Sequence, residues 1–175
     1  MNKLVLQWDD ENAEFWAIGI ISIYQDYRLA FQLNKHFGIK LIRAEKDLTV
    51  ASKNQHAFYC LYSFADSTTQ SNWYFVQNRA YGLLSLQDGE TIKTPDQPTF
   101  FFPGLSKFDY LMVFNPPPTQ KLQTQILKML REVPGISFSS PCELKIKELN
   151  KLNLEPFYDS KQSQDRSNTG ARIII

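Results

Sequence analysis

The chain has 175 residues, 43% of them hydrophobic and 21% charged, which is globular composition rather than disordered, fibrous or membrane-embedded. Nineteen basic and eighteen acidic residues leave a net charge of +1, so overall charge gives no basis for binding nucleic acid or an anionic membrane. Two cysteines, Cys60 and Cys142, are too few for a disulfide framework or a zinc site, and an aromatic share of 14% favours a sheet-rich core.

In chain order, the segment Met1–Trp8 runs into Asp9, Asp10, Glu11 and Glu14 without the apolar length or cleavage site of a signal peptide. A cytoplasmic location is expected. Residues 15–23 are an Ile-rich run with few charges and predict a buried strand. Ser22 and Gln25 stand as S-x-x-Q, a capping box that would open a helix over 23–37, and Gly38 sits where a left-handed C-cap belongs. Projected at the helical period, Tyr24, Tyr27, Ala30, Phe31, Leu33 and Phe37 share one face, with Arg28, Gln32, Lys35 and His36 on the other.

A short strand is predicted at 39–43, then two strands at 56–64 and 72–81 joined as a hairpin by the polar loop 66–71. Asp88-Gly89 marks a weaker hairpin between 83–86 and 91–93. Pro103-Gly104 separates strands at 99–102 and 108–114. Asn115 and three prolines introduce a second helix with an apolar stripe of Leu122, Ile126, Met129, Leu130 and Val133, and Pro134-Gly135 ends it. Strand segments at 136–138 and 143–146 close the order. This pattern predicts an α+β fold in which two helices pack on one face of a twisted, mainly antiparallel sheet. Residues 1–157 form one domain on this reading, and 158–175 a polar tail.

No G-x-G-x-x-G, P-loop, H-E-x-x-H or G-x-S-x-G element is present. His36 and His56 are isolated from each other and from the cysteines, so neither a metal nor a cofactor is expected. The acidic cluster at 9–14 lacks the alternation and central glycine of a calcium loop. Trp73-Tyr74-Phe75-Val76 has the aromatic density of an RNA-binding strand but not its Lys/Arg-Gly lead or basic excess. These side chains are expected in the core.

What stands out is polar. Asp26 and Asn34 fall inside the apolar arc of the first helix, and Asp109, followed by Tyr110, sits where a strand normally excludes Asp. A buried carboxylate needs a cation or several donors, for which Arg28 and Arg79 are the candidates. Such a set either lines a pocket in which a perturbed carboxylate acts as acid or base, or fixes how helix and sheet dock. The absence of a nucleophile or oxyanion partner favours docking.

Asp26-Tyr27-Arg28-Leu29-Ala30-Phe31-Gln32-Leu33-Asn34-Lys35-His36, Phe102-Pro103-Gly104-Leu105-Ser106-Lys107-Phe108-Asp109-Tyr110 and Val133-Pro134-Gly135-Ile136 occur in the order of three segments of the IPExxxVDY family of bacterial proteins, which the chain resembles up to about residue 157. The naming motif keeps Pro103, Asp109 and Tyr110 but holds Phe102, Gly104 and Phe108 at its other fixed positions. The resemblance attaches no activity. It implies that any chemistry depending on the motif's glutamate is lost here, because Gly104 replaces it.

Two functions remain in view. One is a non-enzymatic interaction or regulatory protein, whose strands at 56–64 and 72–81 carry apolar residues on both faces. With helices on one face only, the other would offer aromatics to a second copy or to a protein partner. The alternative is a small-molecule-binding protein or enzyme with a pocket around Asp26, Asn34 and Asp109.

Overall fold

The structure is a computed structural model that describes residues 15–52, 55–81, 83–84, 97–149 and 152. Its elements in chain order are β1 (Trp16–Ser22), α1 (Asp26–Phe37), β2 (Ile42–Arg43), β3 (Leu48–Ser52), β4 (Gln55–Tyr59), β5 (Leu61–Asp66), β6 (Ser71–Gln77), β7 (Arg79–Ala80), β8 (Leu83–Leu84), β9 (Thr99–Phe100), a 3-10 turn (Pro103–Leu105), β10 (Tyr110–Asn115), α2 (Gln120–Leu130), β11 (Ile136–Cys142) and α3 (Ile146–Leu149).

The main sheet has six strands in the order β11-β1-β10-β6-β5-β2, and every pairing in it is antiparallel. Alternation along each strand divides its side chains between two cores. On one face Ile18, Ile20, Met112, Phe114, Phe75, Trp73 and Tyr62 meet Leu29, Ala30 and Leu33 of α1 and Ile126 and Leu130 of α2. Full burial of side chains of this kind stabilises by roughly 1.5–3 kcal/mol each, so this layer fixes both helices on the same face. The α+β class and the antiparallel sheet are as expected.

The opposite face is not open. Ala17, Leu111, Val113, Tyr74 and Val76 are covered by Ala57 and Tyr59 of β4, by Ala80, Phe101 and Phe102, and by Leu144 and Leu152. The predicted exposed aromatic sheet face is therefore absent among the described residues. The cause is a break the pattern conceals. The single strands predicted at 56–64 and 72–81 are each two, interrupted at Cys60 and Asn78. Beyond the breaks, β4 joins a second sheet, β3-β4-β8, and β7 pairs with β9, and both fold back over the first. Gln77 supplies the bonds at one break: its Oε1 accepts from the Cys60 amide at 3.1 Å and its own amide donates to the Cys60 carbonyl at 2.9 Å.

The first helix starts at Asp26 rather than at 23, with Gln25 at the N-cap and no side-chain cap bond. The capping box is not formed. The Ser22 hydroxyl instead donates to the Gly135 carbonyl at 2.8 Å and accepts from the Tyr24 amide at 3.1 Å, tying β1 to the end of the α2 segment. Ser22→Ala is expected to cost about 1 kcal/mol through that lost link, measured by thermal melts; an unchanged melt would count against it. Gly38 does form the left-handed cap, with φ 63° and its amide bonded to the Asn34 carbonyl.

Three further boundaries differ. The prolines precede α2, whose N-cap is Thr119. Residues 136–142 are one continuous strand, and 143–145 leave the sheet before α3. β3 went unpredicted. The partner strand predicted at 91–93, the acidic cluster at 9–14 and the tail at 158–175 lie outside the described residues. No helix among the described residues is long and apolar enough to cross a membrane.

Candidate functional site

Three places gather the polar side chains singled out in the sequence. At the first, Asp26 in the opening turn of α1 accepts a 2.7 Å hydrogen bond from the Tyr62 hydroxyl of β5. A carboxylate there also complements the helix dipole. Cys60 lies beside it, and the Arg43 guanidinium of β2 donates to its sulfur at 3.1 Å while also holding Asp47 at 2.8 and 3.0 Å. Burial, reinforced by Asp26, pushes the Cys60 thiol up to about 12 and raises the Tyr62 phenol by the same two causes. A thiol so raised is protonated at neutral pH and is a poor nucleophile. The cluster joins α1 to β5 and β2.

The second place is the segment 101–110. Asn78, fully buried, was not picked out from the sequence, yet it organises this segment. Its side-chain amide donates to the carbonyls of Leu105 (3.0 Å) and Phe108 (2.9 Å), and its oxygen accepts from the Phe102 amide at 2.8 Å. Its backbone bonds Asp109 and Phe101. The signal available was the polar triplet Gln77-Asn78-Arg79 interrupting a predicted β run.

Asp109 directly precedes β10, half-buried. Its carboxylate pairs with Arg79 at 3.0 Å and accepts from the Ser22 amide at 3.1 Å. Arg79 rather than Arg28 is thus the cation, and the other donor is a β1 amide. The Tyr110 hydroxyl donates to the Tyr24 carbonyl at 2.9 Å, and burial first, then Asp26 and Asp109, raises its titration. Asp109→Ala leaves the Ser22 amide and Arg79 without an acceptor, and is expected to cost about 1–3 kcal/mol; Asp109→Asn, keeping one acceptor oxygen, should cost less. Equal melts for the two variants would remove this role.

Gly104 has open space around it, with no atom within 4 Å of where a Cβ would stand. Gly104→Glu is accordingly expected to change stability by no more than about 0.5 kcal/mol. A drop of several degrees in the melt would show that the glycine is required.

The third place is local. Asn34 clamps the chain after α1, its oxygen accepting from the Leu41 amide at 2.7 Å and its nitrogen donating to the Leu41 carbonyl at 3.3 Å. Arg28 pairs with no carboxylate among the described residues; its guanidinium lies 4.1 Å above the Tyr24 ring centre. Of the predicted set, Asp26 and Asp109 both act on Tyr110, Arg28 reaches it only through Tyr24, and Asn34 stands apart on Leu41; the five do not line one pocket.

The concave feature is elsewhere. A groove of about 800 Å³ runs between the start of β1 (Phe15, Trp16, Ala17), the turn residues Leu105 and Lys107, and the end of β11 with Cys142, Glu143 and Leu144. Size alone would suit a ligand, but none of the five predicted polar residues lines it. Burial pushes the Cys142 thiol there up to about 11. No group of three or more metal-ligating side chains occurs among the described residues, and Trp73, Tyr74, Phe75 and Val76 are all buried in the core.

The surface of α1 departs most from expectation. Its buried residues are Leu29, Ala30 and Leu33, whereas Tyr27 and Phe31, predicted on the inner face, are 64% and 63% exposed. Ile23, in the connection that precedes the helix, is 81% exposed. The packed face is rotated from the predicted arc because Asp26 turns inward to Tyr62 and Asn34 to Leu41.

Comparison of this chain with family models, curated proteins and solved structures finds no match. The class defined by the fold is an α+β protein with both faces of its main sheet covered.

Proposed function

We propose that this is a non-enzymatic interaction or regulatory protein that docks a separate protein on the outer face of α1. The observation that carries the reading is the ridge of Ile23, Tyr27 and Phe31. These large apolar side chains recur at every fourth residue and stand mostly in solvent. Scattered exposed apolar residues are ordinary, but two rings one turn apart on α1, with Ile23 exposed in the connection before it, mark a contact surface. The pocket reading has less support, because Asp26, Asn34 and Asp109 are each engaged locally.

A second copy of the chain fits the ridge poorly. Two α1 helices related by a two-fold would bring Arg28 and Lys35, both exposed, against their own kind. The test is a photo-crosslinking residue placed at position 31 in the intact chain in its native cell, with the same residue at position 104 as control. The expected result is an adduct of one discrete mass at 31, lost on Tyr27→Glu and absent at 104. A doubled-chain mass, equal adducts at both positions, or no adduct at 31 would each overturn the proposal.

A further inference from the structure

We infer that the partner surface on α1 is an acidic amphipathic helix; the inference rests on the docking reading above and concerns the chemistry of what docks. The chain as a whole is nearly neutral, at +1, but its helical layer is not. Asp26 is the sole acidic residue of α1, and its carboxylate is turned inward to the Tyr62 hydroxyl. No residue of α2 is acidic. Against these stand Arg28 and Lys35 on α1 and Lys121 and Lys128 on α2, all four exposed. The two helices pack side by side on one face of the sheet, and within the helices themselves every exposed charge is basic.

Arg28 is held as well as exposed. Its guanidinium rests on the Tyr24 ring, a contact that restrains a long side chain at the ridge's flank and lowers the entropy lost when it meets a carboxylate. Shape selects among anionic partners. Tyr27 and Phe31 lie four residues apart on α1, along the i, i+4 row that seats between the side-chain rows of another helix, and Ile23 is exposed in the connection just before it. A bilayer has no rows to receive it and would be met more evenly by a broad apolar face. An anionic membrane is therefore the competing outcome.

The experiment uses the full chain and two labelled synthetic peptides of about 18 residues, five helical turns, with the same leucine face and flanks of glutamate in one and lysine in the other. Binding is read by fluorescence anisotropy, and vesicles of phosphatidylserine and phosphatidylcholine are tested in parallel. The expected result is binding of the glutamate peptide, weakened by added salt. The double substitution Arg28→Glu, Lys35→Glu should weaken it by about tenfold, since each exposed charge pair is worth up to about 1 kcal/mol, and should transfer binding to the lysine peptide.

Equal binding of both peptides, abolished by Phe31→Ser, would overturn the acidic preference while leaving α1 as a docking face. Binding to vesicles but to neither peptide would overturn the helical partner in favour of a membrane. Silence of both peptides and vesicles would also overturn this inference, leaving the crosslink at position 31 to decide whether α1 docks anything.

Discussion

Asn78→Ala is expected to lower stability by about 3–5 kcal/mol, the sum of several orphaned polar groups at roughly 1–3 kcal/mol each. Asn78 lies at the break between β6 and β7 with no exposed surface. Truncation removes the acceptor of the Phe102 amide and the donors to the Leu105 and Phe108 carbonyls. Phe102 and Phe108 are themselves fully buried, so little water reaches the vacated groups. For a chain of this size the loss corresponds to a melting temperature lower by roughly 6–20 °C. Asn78→Asp should be at least as damaging at neutral pH. It keeps an acceptor for the Phe102 amide but faces two carbonyl oxygens with a carboxylate. Asn34→Ala, at a half-buried clamp with two bonds to Leu41, is the internal comparison and should cost less. An Asn78→Ala melt within about 2 °C of the parent, under the 1 kcal/mol that such a shift represents, would show that the 101–110 segment holds itself in place.

The contrast between Asn78 and Asp109 shows what was legible in the residues. Asp109 was visible because a carboxylate beside a strand must have a partner, and Arg79 was among the cations available. Which further group would complete its shell was not visible. The Ser22 amide is brought there by pairing of β1 with β10, 87 residues apart, and no local pattern encodes that distance. Asn78 was hidden for the opposite reason: within 72–81 the apolar residues on either side read as one strand, and the amide that ends it resembles an incidental polar position. The same blindness joined β4 to β5 across Cys60 and left an imagined open sheet face. Periodicity reports which residues prefer a strand; it does not report where a strand changes sheets, because that is settled by what covers the second face.

The α1 ridge was misread for a related reason. Helical projection ranks faces by hydrophobicity and places Tyr27 and Phe31 inward with Ala30 and Leu33. The actual rotation turns Asp26 to Tyr62 and Asn34 to Leu41, two contacts that a hydrophobic projection does not register. The polar residues inside the arc were noticed as exceptions, and they are what turn the helix. That rotation leaves the Tyr27 and Phe31 rings in solvent, where a partner can reach them.

Gly19→Ala is expected to cost about 3 kcal/mol or more, at or beyond the upper end of ordinary overpacking. Gly19 is in the middle of β1, paired on one side with Leu111 and on the other with Ser140, so its backbone cannot retreat without opening two ladders. A Cβ there would stand within the space of the Phe108 ring, whereas carbon atoms in contact normally settle about 3.5–4.0 Å apart. Phe108 has no exposed surface, and its carbonyl is held by Asn78 at 2.9 Å, so the ring has no free direction in which to move. The glycine is therefore required for the close approach of the 101–110 segment to β1. If this is the cause, shrinking the ring should relieve it. Phe108→Leu will be destabilising by itself, but combined with Gly19→Ala the loss should fall short of the sum by about 1–3 kcal/mol, the coupling expected for residues in contact. Melts of the two single variants and the double variant close the cycle, and strict additivity would show that Gly19 is needed for some reason other than the Phe108 ring.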